Sequence, residues 1–247
     1  MKISSQLRRG FTLVELLVVI VIIASLAGLT APMVIKQRKK ADQTEAVNNA
    51  KQIGIALFEF ENEYGSFPDD NTAIAVASAT ETAKVTGNKS NDKFRQLIRS
   101  GITQSEAIFY SKTSYTKKPD GVFNSDAKAL AAGEVSYGII MKADGGGLSA
   151  GGNPGRPIIA APFKSTMNGT FDPDFYDAKA VVLKLDNSVT SLPIVASSGN
   201  ALNNGKKILE TGPDTVWGTD LTPKWAFPQA LGSAVTTDNS AKPEEQQ

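Results

Sequence analysis

The stretch Gly10-Phe11-Thr12-Leu13-Val14-Glu15, continued by LLVVIVIIASLAGLTAPMVI over residues 16–35, decides how the rest of the chain is read. The 20 residues from Leu16 to Ile35 carry no charge. As an α-helix they extend about 30 Å, the hydrocarbon thickness of a bilayer. Basic residues flank them: Lys2, Arg8 and Arg9 before, and Lys36, Arg38, Lys39 and Lys40 after. Between the two basic groups the one charge is Glu15. The chain therefore reads as a single N-terminal membrane helix carrying a body of soluble character. A cleavable secretory signal could use Ser25-Leu26-Ala27 as its small-residue site, but its apolar core spans only about 7–15 residues. A plain signal anchor is the other ordinary reading, and cations on both flanks give its orientation little guidance.

The helical pattern continues past the basic run. Apolar residues recur at Val47, Ala50, Ile53, Leu57, Phe60 and Tyr64, three or four apart, with Gln43, Asn48, Asn49, Lys51, Gln52 and Glu59 on the other face. Gly65-Ser66-Phe67-Pro68 ends it. A helix from Phe11 to this stop spans roughly 80 Å. One half suits lipid and the other suits packing on a globular domain. Pro32 lacks an N–H and crowds the turn before it, so a kink or local melting is expected between Gly28 and Pro32.

The motif Arg8-Arg9-Gly10-Phe11-Thr12-Leu13-Val14-Glu15 resembles the N-terminal signal of type IV pilins and type II secretion pseudopilins. The resemblance covers residues 1 to about 68. It implies a leader removed by a prepilin peptidase between Gly10 and Phe11, N-methylation of Phe11, and Glu15 as the carboxylate used in filament assembly. Pro32 is similar to the family's helix-kinking proline. The partners implied are other pilin-like subunits in a homo-oligomeric filament, the peptidase and methylase, the secretion or pilus assembly machinery, and the bacterial inner membrane. The globular part would then be extracytoplasmic, in a periplasmic or cell-surface filament. Elementary chemistry agrees with Glu15 in that role. An ionised carboxylate in a membrane helix costs on the order of 2.5–3.5 kcal/mol, less near the interface, and so needs a partner. A free amine on Phe11 lies one turn away on the same helix face. Pairing within the chain and pairing with a neighbouring subunit's N-terminus both satisfy it. Phe58 falls off the apolar stripe and is a candidate filament contact.

The remainder divides less sharply. The expected organisation is a leader over 1–10, a membrane half of the helix over 11–35, an amphipathic half over 36–66, and a globular domain over 67–247 with a polar tail. Residues 69–90 read as a loop or short helix. Helical periodicity marks Lys93 to Tyr110, broken at Gly101, and a short helix is possible over 125–132. Strand signals follow at 135–141, at 157–162, and as a hairpin at 180–185 and 188–192 around Asp186-Asn187, with a short edge at Val216-Trp217-Gly218. The glycines at 145–147, 151, 152 and 155 read as a flexible connection, since no Gly-Lys-Ser/Thr accompanies them. Helix first, then an antiparallel sheet, gives an α+β class, which is also the pilin-like plan.

Composition narrows the function. The 247 residues include no cysteine and no histidine. Disulfides, Cys- or His-based zinc sites and Ser-His-Asp or Cys-His catalysis are excluded. Adhesive pilins often carry a disulfide-bound C-terminal loop, so the missing cysteines favour the secretion pseudopilin over the type IV pilin. Net charge is +1 and falls to −2 without the first ten residues, which gives no electrostatic case for nucleic-acid contact. No carboxylate pair suggests an enzyme, and no cofactor is expected. The remaining alternative is a membrane-anchored extracytoplasmic binding module. Asp172, Asp174 and Asp177 are read as turn chemistry, with calcium the other reading.

Overall fold

The computed structural model describes residues 11–125 and 128–232. Helix α1 runs without interruption from Leu13 to Tyr64, 52 residues. Its second half buries Ala46, Ala50, Ile53, Gly54, Ala56, Leu57 and Phe60; four of these belong to the stripe the spacing predicts, whose ends Val47 and Tyr64 are half-buried. Small residues on that stripe bring the backbone close to its neighbours. At Gly54 a Cβ would collide with the Asn187 side chain and lie 3.0 Å from Leu183. Gly65 ends the helix in the left-handed region at φ 86° and donates its N–H to the Glu61 carbonyl at 2.7 Å. Phe58 is half-buried and meets the Phe67 ring edge-on at 5.6 Å, so the contact it makes in the structure is with its own chain. The exposed apolar residue on this half is Ile55.

Two short helices follow, α2 (Asp70–Thr80) and α3 (Ser90–Arg99). The expected helix beyond Arg99 stops because Gly101 turns at φ 80°, and a single 3₁₀ turn re-forms at Ala107–Phe109. Among the described residues seven strands follow: β1 (Gly138–Lys142), β2 (Pro157–Ala161), β3 (Lys179–Lys184), β4 (Val189–Val195), β5 (Asn200–Asn203), β6 (Lys206–Lys207) and β7 (Pro223–Ala226). They form one antiparallel sheet in the order β6-β5-β4-β3-β2-β1-β7. The architecture is α+β, a long helix against an antiparallel sheet. Every residue of β2 is buried, so both faces of the sheet centre are covered. Around Gly138 the cover is aromatic: the Phe163 ring stands where a Cβ would fall, and Phe163 packs on Phe171, Trp225 and Phe227.

The predicted hairpin is β3–β4, with Val182 opposite Thr190 and Leu183 opposite Val189. Asn187 takes the left-handed position at φ 60°, and the Asp186 carboxylate accepts the Ser188 N–H at 2.9 Å. Val216-Trp217-Gly218 forms no strand of its own. Gly212 and Gly218 make one isolated bridge, and Trp217 is fully buried, its indole N–H donating to the Ile208 carbonyl at 2.6 Å.

Polar ties fasten α1 to this body. The Tyr137 hydroxyl donates to the Ala46 carbonyl at 2.8 Å, the Gln43 amide to the Ser191 hydroxyl at 2.7 Å, and the Asn49 amide to the Tyr110 carbonyl at 2.8 Å. Tyr137 belongs to a fully buried group with Tyr115 and Tyr176, and burial pushes all three phenols far above their ordinary range. Tyr176 and Ser111 share a hydrogen bond there.

The glycine run expected to be a flexible connection is a clasp instead. The Phe67 N–H donates to the Leu148 carbonyl at 2.9 Å, and the Gly147 N–H to the Asp69 carboxylate at 3.0 Å. Asp69 also caps α2 by accepting from Asn71 and Thr72. Burial opposes ionisation of Asp69, but the N–H groups of Gly147, Thr72 and Asn71 outweigh it and hold the carboxyl below its ordinary 3.8. A Cβ on Gly147 would overlap the Phe67 carbonyl oxygen, which is backbone and cannot swing aside.

Gly147→Ala is expected to destabilise the protein by about 1–3 kcal/mol, the range for overpacking a filled site. A thermal melt of the full-length chain in detergent reads this, and an unchanged midpoint would refute the clasp. The second expectation concerns acid. Because the folded Asp69 binds its proton more weakly than the unfolded one, its contribution is present above pH 3.8 and lost as pH falls through the folded value. Asp69→Asn should therefore melt lower at neutral pH and show a shallower loss of stability below pH 3.8. Parallel slopes for the two proteins would count against the assignment.

Candidate assembly site at the helix N-terminus

Among the described residues the first half of α1 has no packing partner. Leu13, Val14 and Leu16 to Ile23 are all exposed, as are Leu26, Leu29, Met33, Val34 and Ile35. Among the described residues α1 is the one helix long and apolar enough to cross a membrane. An apolar surface of that size is covered by lipid or by other protein.

At its start the chain builds a cap. Thr12 is the N-cap, extended at φ −81° and ψ 149°. Its hydroxyl accepts the Glu15 N–H at 3.2 Å. Glu15 returns the bond with one oxygen, Oε2, which accepts the Thr12 N–H at 2.9 Å and the Thr12 hydroxyl at 2.7 Å. This reciprocal pair is a capping box, and it satisfies two donors that a helix start leaves orphaned. The Thr12-x-x-Glu15 spacing is the visible signal for it in the sequence. Glu15 thus has a partner inside its own chain, and its other oxygen, Oε1, takes no hydrogen bond among the described residues. Phe11 precedes the cap and is exposed. Gly10 lies outside the described residues, as does the rest of the 1–10 segment.

Further along, the helix stays intact where melting was one expectation. Residues 28–32 are helical throughout, with Pro32 inside the element. Pro32 cannot donate, so the Gly28 carbonyl loses its partner four residues on.

The aspartates weighed for calcium do not converge. Asp172 closes a turn by accepting the Asp174 N–H at 3.0 Å and the Ser114 hydroxyl at 3.5 Å, and Asp177 follows at φ 55°. The carboxylates that do converge among the described residues are Glu106, Asp120 and Glu134, their oxygens within 4.8 Å of one another. They are far apart in sequence and carried no local signal. Glu106 accepts the Leu130 N–H at 2.7 Å and the Gly121 N–H at 2.9 Å, and Glu134 accepts the Ala131 N–H at 2.8 Å. The Lys117 ammonium stands 3.2 Å from the second Glu134 oxygen, without the alignment of a hydrogen bond. Burial, with Glu134 and Asp120 nearby, pushes the Glu106 carboxyl above its ordinary value against those N–H donors. These bonds hold Gly121 and the 130–134 segment to Glu106 and Glu134.

Helix α1 thus joins a capped start to an apolar half that the described residues leave uncovered. Residues 6–31 match the family model described as the prokaryotic N-terminal methylation motif. The chain carries a prepilin-type N-terminus. It is similar to a fimbrial protein of Neisseria meningitidis serogroup A, 36% identical over 77 residues, 31% of this chain and 45% of that one. It is similar as well to the type IV major pilin protein PilE of Neisseria gonorrhoeae, 36% over 76 residues, 31% and 46% of the two chains. Type II secretion system core protein G of Escherichia coli K12 is 37% identical over 71 residues, 29% and 49%. The chain spans about half the length of the curated relatives it matches. No solved structure matches it.

Thr12→Ala in this pilin-like chain removes the hydroxyl end of the box, leaving the backbone N–H bond to Glu15, and should cost about 1 kcal/mol of helix stability, with Thr12→Ser close to wild type. Amide exchange at residues 13–16 of the detergent-solubilised protein checks it. Equal protection in all three proteins would refute the cap.

Proposed function

We propose that the chain is a filament-forming subunit, cut after Gly10, methylated on Phe11 and assembled through α1. The observation that carries this is the joint one of a prepilin-type start and an apolar half-helix that its own domain leaves uncovered. The subunit waits in the inner membrane with its globular domain outside the cytoplasm. It leaves the bilayer as apolar helices exchange lipid for one another. Glu15 supports the exchange in two ways. Its Oε2 holds the helix start through Thr12, and its Oε1 is left for an incoming cation, for which the new Phe11 amine of a neighbouring subunit is suited. A bend at Gly28–Pro32 would let the apolar half follow the filament axis while the domain stays outside.

Within that class we favour a type II secretion pseudopilin, a short filament that drives export. The lack of cysteine supports it, since no C-terminal loop can be closed by a disulfide. The equal similarity to fimbrial proteins supports the second reading, a type IV pilus subunit. Structural subunits, not enzymes, stand among the relatives, and the function proposed is assembly.

Mass spectrometry of the native N-terminus tests the proposal. A chain beginning with methylated Phe11 is expected, and one beginning at Met1 or Gly28 would defeat it. Glu15→Ala is expected to keep membrane insertion and lose filaments. Loss of exported proteins on deletion of the gene marks the pseudopilin, and loss of surface pili marks the pilus subunit.

A further inference from the structure

The outward face of the second half of α1 carries charge in a definite order. At about 100° per residue, Lys36, Lys40 and Lys51 fall within about 60° of arc on one flank. Glu45, Glu59 and Glu63 fall within about 40° on the other flank. Ile55 stands between the two rows, opposite the stripe buried against the sheet. All six charged residues are exposed, and none takes part in an ion pair among the described residues. Arg38 lies beside the acidic row at its membrane end.

The spacing along the helix matches as well. Lys36 and Lys40 are one turn apart, and so are Glu59 and Glu63. Lys36 lies 23 positions before Glu59, and Lys40 lies 23 before Glu63. Two parallel copies of α1 shifted by that amount, about 35 Å, bring both pairs level at once. The same shift sets Ile55 of one copy level with Pro32 of the other, inside its exposed apolar run.

We propose that the two rows are the two halves of a subunit–subunit interface, in which Lys36 and Lys40 of one copy face Glu59 and Glu63 of the next. This rests on the filament reading above and gives it a register. The two patches differ and lie on opposite flanks, so the contact is head-to-tail. Repeated, it does not close on itself, and it produces an open helical array. Each pair of surface charges contributes modestly, and the shift of 23 positions is chosen because it levels both one-turn pairs at once, with Glu45 and Lys51 outside the match.

The absence of cysteine makes the test clean. A chain with Lys40→Cys and Glu63→Cys carries two thiols about 35 Å apart on one helix, so no disulfide can form within it. Oxidation of assembled filaments should give a ladder of covalent multimers, while either single variant gives dimers at most. Lys36→Glu with Lys40→Glu should cut filament yield at least tenfold, as should Glu59→Lys with Glu63→Lys. The fourfold swap should restore it to within about threefold. Filaments of the double-cysteine chain that form no ladder on oxidation, or a swap that fails to rescue, overturn the proposal while leaving the filament reading intact. Loss of membrane retention from the lysine changes alone, with the glutamate changes silent, would assign the basic row to anionic lipid headgroups and likewise overturn it. A wild-type chain that never assembles would bring down both.

Discussion

A helix of 52 residues is too long for one small domain to cover, and that mismatch organises everything else in this protein. The sheet reaches only the second half of α1. The first half is left with aliphatic side chains facing outward, in a chain otherwise well able to bury them. Lipid and neighbouring helices are the two environments that solve this. They are close enough in apolar character that exchange between them need not be costly, and small polar terms can then bias the outcome. The Thr12–Glu15 box fixes where the helix begins and spends only one carboxylate oxygen in doing so.

The domain half obeys the opposite constraint. Here the helix must be held in one rotation and one height, or the apolar half would point at random. Alanines and Gly54 allow close approach, and the hairpin tip at Asn187 fills the space above Gly54. Tyr137, Gln43 and Asn49 then set the height through bonds to specific atoms. The clasp of Phe67, Asp69 and Gly147 fixes the far end. Charge on the outward face is therefore presented in a fixed order.

What could be read from the sequence follows the strength of local patterns. The apolar run and the three-four stripe are long and periodic, so α1 was legible from end to end. The β3–β4 hairpin was legible because β-branched residues flank a turn that tolerates the left-handed Asn187. By contrast, β5 and β6 are short and carry asparagines and lysines, and β7 opens on a proline that argues against a strand. Gly147 looked like a flexible link because the reason for it is the Phe67 backbone, some 80 residues away in sequence. The Glu106–Glu134 group was hidden for the same reason. The Thr12–Glu15 spacing was in plain view, yet the cost of a carboxylate in lipid drew the reading towards ion pairing alone.

The ties along α1 also determine how the subunit bears load. Gln43, Ala46, Asn49 and Glu61 attach successive turns to β4, to the start of β1, to the 3₁₀ turn and to the loop at Ala150. A pull along the helix axis strains these attachments together, in shear, and none can be peeled away before the next. With no covalent cross-link in reserve, that parallel arrangement is what gives the domain its resistance to being drawn off its own helix.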